Sequence, residues 1–164
     1  MIQRIQTIYL ILVIAVCAAM FFLPIYSGTG TGVSSNQNQM IEVKQAEVKM
    51  NFVVDFDAAA KVRKLMTVLN TLDIVLIALS FVVIFLYKNR DSQLRMARYL
   101  ILFSVIYIAL IAASIFEARA MIANIKDLFG IGTFIPVLSP ILLFLASRGI
   151  AKDIRLVKSS DRLR

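Results

Sequence analysis

Asp73 is the residue best placed to do chemistry, because it is the single charge inside an otherwise apolar run from Leu65 to Tyr87. A carboxyl group at such a depth binds a proton, pairs with a cation or ties helices together through hydrogen bonds. Asn70 lies one helical turn before it and Ser80 about two turns after it, so in a helix the three share a face. A stripe of this kind is the start of a proton or solute path, or it is interhelical glue. Glue is the favoured reading, since a transporter usually carries several buried charges. Glu117 and Arg119 close the third apolar run at a comparable depth, and Arg119 is the expected counter-ion for Asp73 if the two helices are neighbours.

Other chemistry is hard to build from this chain. It has no histidine and one cysteine, so a zinc, haem or iron–sulfur site is not expected. Cys17 falls inside the first apolar run, where a packed thiol is the expected role. No Walker loop, catalytic triad or spaced pair of membrane carboxylates is present. No cofactor and no enzymatic activity are expected.

The elements that would position these residues are membrane helices. Sixty per cent of the residues are apolar and 17% are charged, and apart from Asp73 the charges are excluded from four long runs. Each run approaches the roughly 20 residues that cross about 30 Å of hydrocarbon. The expected fold class is therefore an all-α membrane protein. It is a four-transmembrane-helix bundle with helices at about 7–25, 65–87, 98–118 and 128–148 and a small extracytoplasmic β-hairpin-like loop between helices 1 and 2. The first run resembles a cleaved signal, but its apolar residues continue to Leu23, so an uncleaved helix is expected. Gly130, Gly132, Pro136 and Pro140 predict a kink near 132–140 in the fourth helix.

The periplasmic loop, 27–60, begins with the glycine-rich Ser27–Gly32, which reads as a turn or linker. From Ala46 to Asp55 strict alternation predicts a strand, with Met40–Lys44 as its partner. Asp57 is a candidate N-cap for a helix running straight into the second span, which brings Lys61, Arg63 and Lys64 to the interface. At the other extremity, 149–164 reads as a basic amphipathic tail. It either prolongs the last helix or lies on the inner leaflet, with Gly149 as the bend.

The net charge of +8 is better explained by topology than by nucleic-acid binding. The N-terminus, the 88–98 connection and the tail together hold Arg4, Lys88, Arg90, Arg95, Arg98, Arg148, Lys152, Arg155, Lys158, Arg162 and Arg164, which is eleven of the 18 basic residues. That excess places both termini in the cytoplasm. Lys61, Arg63 and Lys64 pull the other way, although long loops obey the charge rule less strictly.

The two ends of the chain carry a resemblance. Met1-Ile2-Gln3-Arg4-Ile5-Gln6-Thr7-Ile8-Tyr9-Leu10 resembles the opening of a four-pass membrane family of unknown function from the Bacteroidetes. Arg148-Gly149-Ile150, Lys152-Asp153, Leu156-Val157-Lys158 and Ser160-Asp161-Arg162-Leu163-Arg164 are similar to its closing signature, although Ile154-Arg155 stands where an acidic pair is expected. The resemblance implies a Gram-negative inner membrane and supplies no activity, substrate or catalytic residue. It singles out Gln3, Arg4 and Gln6 with Arg148, Lys152, Asp153, Lys158, Asp161 and Arg162, which are expected to form one inner-face surface or to act as helix anchors. The expected partners are the bilayer, with anionic lipids at the tail, and a protein in the membrane. The expected function is a small scaffold or accessory subunit of a membrane assembly; the alternative is a transporter or channel component that uses Asp73.

Overall fold

The computed structural model describes residues 3–31, 38–45, 48–50, 56–119 and 123–161. Four helices account for most of them: α1 (Gln3–Met20), α2 (Phe56–Phe85), α3 (Arg90–Arg119) and α4 (Leu138–Asp161). Each packs against two others, α1 and α3 both lying against α2 and α4. Leu10 and Val13, Leu69 and Leu76, Leu100, and Leu143 and Ala146 fill the space between them. The opposite faces are apolar as well: Ile8, Ile11, Phe81, Leu102, Val105, Ile141 and Phe144 are all exposed. Three stretches are long and apolar enough to cross a membrane: Ala60–Phe85, Arg90–Glu117 and Ile131–Val157, whereas Ile5–Met20 is a shorter apolar helix.

The connection between α2 and α3 is tight. A short 3-10 turn, Leu86–Lys88, leads to Asn89, whose carbonyl accepts the Gln93 backbone N–H at 2.9 Å and so starts α3. The buried Gln93 amide also reaches back to the Val83 carbonyl at 3.1 Å, clasping the two helices. Its side chain satisfies a carbonyl that the end of α2 would otherwise leave open.

The other end of the helices is capped by a sheet larger than the hairpin expected from the sequence. Its strands are β1 (Pro24–Thr31), β2 (Asn38–Lys44), β3 (Val48–Met50) and β4 (Ala123–Phe129), in the order β3-β2-β1-β4. The expected pairing of Met40–Lys44 with the alternating segment is present, with Glu42 opposite Lys49 and Val43 opposite Val48. Residues 46–47 and 51–55 of that segment lie outside the described residues.

Five expectations are corrected. The glycine-rich run, as far as Thr31, is not a linker but part of β1, an inner strand paired antiparallel to β2 on one side and β4 on the other, and Gly32 lies outside the described residues. Partners on both edges outweigh the low strand propensity of glycine. The first helix ends at Met20 rather than near residue 25, because Pro24 disfavours helical geometry in the residue before it. The fourth helix begins at Leu138, not near 128. The preceding residues form β4 and two 3-10 turns, Ile131–Thr133 and Ile135–Val137. Pro136 lacks the donor that a continuous helix would need, while Pro140 sits in the first turn of α4, where no donor is required. The expected kink is thus a break between two kinds of structure. Gly149, by contrast, lies within an unbroken α4 and marks no bend.

β1 and the segment after β4 meet at a crossing that only glycine permits. The Gly130 N–H donates to the Ile25 carbonyl at 3.0 Å, and the Thr133 hydroxyl donates to the same carbonyl. A Cβ on Gly130 would lie 2.0 Å from the Pro24 carbonyl oxygen, and one on Gly132 would lie 2.8 Å from it. Backbone atoms on both sides leave no flexible group to yield. Gly130→Ala is expected to cost about 1–3 kcal/mol, as overpacking does, read as a lower unfolding midpoint in detergent. An unchanged midpoint would contradict this crossing.

Candidate functional site

The sheet reaches into the helices through one side chain. Gln45 follows β2 and is 1% exposed, and its amide nitrogen donates to Asp73 Oδ2 at 3.0 Å. The Tyr107 hydroxyl donates to Gln45 Oε1 at 2.9 Å. Asp73 is on α2 and Tyr107 on α3, so a single amide joins the sheet to both helices. Cys17 of α1 adjoins the Asp73 carboxyl group, and Ser139 at the start of α4 adjoins Cys17. Every helix therefore contributes to one buried polar cluster. Asp73 itself has no exposed surface.

The helix ends explain how a residue following a strand gets this far. α1 stops one turn beyond Cys17, and α4 begins at the residue before Ser139. In the same direction α2 runs on past Asp73 for about 25 Å and α3 past Tyr107 for about 18 Å, at 1.5 Å per residue. The space above the short pair is taken by the sheet, whose Ile25, Tyr26 and Val43 are buried against the helices. Gln45 sits at the base of that sheet, since its neighbour Lys44 pairs with Pro24.

Asn70 and Ser80 share a face with Asp73, as expected, but neither Asn70 Oδ1 nor Ser80 Oγ has a hydrogen-bond partner, and both atoms are buried. The expected pairing of Asp73 with Arg119 is not formed: the side chains that act on the carboxyl group are Gln45 and Cys17, and Arg119 is exposed at the end of α3. The reason is geometric, since Arg119 lies about 18 Å along α3 from Tyr107, which stands level with Asp73. Glu117 instead pairs with Lys61 at 2.6 Å, which confirms that α2 and α3 are adjacent. Sequence reasoning does not single out Gln45 or Tyr107. The one signal it holds is a tyrosine within an uncharged span, whose hydroxyl needs a partner once buried.

At the opposite end of the helices the two terminal motifs do meet in part. Gln6 is buried and packs on Gly149, where an added Cβ would lie 3.0 Å from Gln6 Cγ. The missing side chain lets α1 approach α4 there. Asp153 pairs with Arg90 of α3 at 3.2 Å, by distance rather than by hydrogen-bond alignment. The Arg148 guanidinium stands over the Phe144 ring at 5.7 Å, and Lys152 is exposed. Gln3 and Arg4 belong to α1, and Lys158 and Asp161 to α4, but their side chains lie outside the described residues, as does Arg162 altogether.

The cluster carries a stability prediction. Tyr107→Phe leaves Gln45 Oε1 buried without its donor and is expected to cost about 1–3 kcal/mol. Combined with Gln45→Ala it should cost less than the sum of the two single losses, whereas Arg119→Ala should be additive with either. Thermal unfolding of the three single and three double variants in detergent measures this, and full additivity of Tyr107→Phe with Gln45→Ala would disprove the link.

Comparison with known proteins adds no chemistry to this geometry. No curated protein matches the chain. The sequence model of a family described as a domain of unknown function, DUF4293, matches residues 2–163, and so covers the sheet, the buried cluster and all but the end residues of the two terminal motifs. A match over nearly the whole chain shows that the protein belongs to the DUF4293 family.

Proposed function

We propose that the protein is an integral membrane scaffold or accessory subunit that crosses the bilayer four times with both ends in the cytoplasm. The observation that carries this reading is the closure of the Asp73 cluster. Its carboxyl group has no exposed surface and is tied by Gln45 to Tyr107, so it joins elements together and lines no aqueous passage. Polar residues that only connect helices are the usual interhelical glue. An enzymatic role finds no support in such a cluster.

The membrane placement rests on the apolar surface. Large exposed side chains such as Ile8, Ile11, Ile74, Phe81, Leu102, Val105, Ile141 and Phe144 are aliphatic or phenylalanine, and the exposed Thr67 and Thr71 hydroxyls donate to carbonyls of their own helix. Tyr87 and Tyr99 are exposed at one end, as expected of tyrosines at an interface, and Phe22, Phe116, Phe129 and Phe134 are exposed toward the other. α1 is short, but Phe21–Leu23 and the base of the sheet complete its crossing. The basic excess at the end bearing Arg95, Arg98, Arg148 and Lys152 orients that end to the cytoplasm. The sheet is then periplasmic in a Gram-negative inner membrane. Exposed Lys152 and Arg155 extend α4 into the headgroup region, where they favour anionic lipid. The protein partner would meet either this cytoplasmic face or the sheet.

The second reading, a transporter or channel component, draws on the unpartnered Asp73 Oδ1 and Ser80 Oγ inside the helices. Purification in mild detergent followed by mass spectrometry separates the two. A stoichiometric partner is expected. A self-associated species with proton or solute flux that is lost in Asp73→Asn would overturn the accessory role. A C-terminal reporter is expected to be active only in the cytoplasm, and periplasmic activity would reverse the topology.

A further inference from the structure

Holding the sheet in place accounts for one oxygen of Asp73 and leaves the other unexplained. Oδ2 accepts the Gln45 amide, whereas Oδ1 is buried with no hydrogen-bond partner. An ionised carboxylate here would keep a full charge out of water with only a neutral amide and the weak donor of the Cys17 thiol beside it, which is a costly arrangement for a folded chain.

The groups that face it offer no positive charge. From α1 comes the Cys17 thiol, from α4 the Ser139 hydroxyl beside it, and from α3 the Tyr107 hydroxyl, already committed to Gln45. The ion pairs formed by the described basic residues lie elsewhere: Lys44 with Glu42 at 3.0 Å, Lys61 with Glu117 at 2.6 Å and Arg90 with Asp153 at 3.2 Å. A proton on Oδ1 resolves the difficulty. It removes the charge and leaves Oδ2 as a carbonyl oxygen, which is the role it plays toward Gln45.

We propose that Asp73 is a proton-binding site and that Gln45 is the latch it controls: the carboxyl group carries a proton while the sheet is docked, and loss of that proton releases Gln45. The proton leaves to solvent as the acid ionises; the charged oxygen binds the Gln45 N–H more strongly, but the larger cost of keeping the charge from water lifts the sheet and lets water replace the amide. Docking is then strongest at low pH and weakens as pH rises. The proposal goes beyond the scaffold reading and does not depend on any partner being found.

Cys17 supplies a native reporter, because it is the single cysteine of the chain, is 1% exposed and adjoins Asp73. The test is infrared spectroscopy of the full chain in lipid nanodiscs across a pH series, with alkylation of Cys17 measured alongside. At neutral pH a protonated-carboxyl C=O band is expected that is absent from Asp73→Asn and is lost on alkalinisation. Cys17 labelling should rise with pH more steeply in the wild type than in Asp73→Asn, which keeps a neutral side chain of the same shape and shares the thiol's own ionisation. Gln45→Leu removes the latch and leaves the acid, so its Cys17 should label faster than that of the wild type at each pH, with the largest ratio at low pH, where the wild type is docked. A carboxylate signature at neutral pH, protection of Cys17 that depends on sodium or potassium, or identical pH profiles in the wild type and Asp73→Asn would each overturn the proposal.

Discussion

A carboxyl group on the inner face of an apolar helix must find polar partners beyond its own helix, and this requirement shapes the rest of the molecule. The backbone of α2 cannot help, because its donors are used within the helix. No basic side chain among the described residues pairs with it. Gln45 meets the need from a strand, and Tyr107 then completes the amide. Three polar side chains thus bind two helices to a sheet.

The sheet can reach that point because the helices differ in length. α1 and α4 stop level with the cluster, and the chain leaves α1 into β1 and enters α4 from β4. The strand flanking each short helix is therefore held beside the long ones. The glycines at 130 and 132 let the two chain segments touch at the Pro24 carbonyl, which fixes how low the sheet sits. At the opposite end Gly149 does the same for α1 and α4, where Gln6 occupies the space a side chain would fill. In both places glycine sets the distance between segments that the family signature also spans.

The helical part of this arrangement is legible in the sequence because a run of some 20 residues without charge can satisfy its backbone only as a helix surrounded by apolar groups. The β2–β3 pairing is legible from alternation. β1 is not, since Gly28 and Gly30 read as part of a linker in isolation and become a strand only when β2 and β4 supply partners. β4 and the late start of α4 are hidden for a related reason: Leu128 to Val137 is apolar enough to extend a helix, and only Pro136 and the glycines oppose it. Asp73 stands out in the sequence as the buried acid, but local pattern directs the search for its partner toward charges. The partner is a neutral amide from a distant segment, a choice that local pattern does not encode.

The contact between Gln45 and Asp73 within a lipid environment is the point on which everything above turns. Solid-state NMR of the isotope-labelled protein in bilayers measures it directly. A short through-space correlation between the Gln45 side-chain nitrogen and the Asp73 carboxyl carbon is predicted, accompanied by one from Tyr107 to the Gln45 amide carbon. An Asp73 carboxyl group that correlates with water or with Arg119, and not with Gln45, would contradict it.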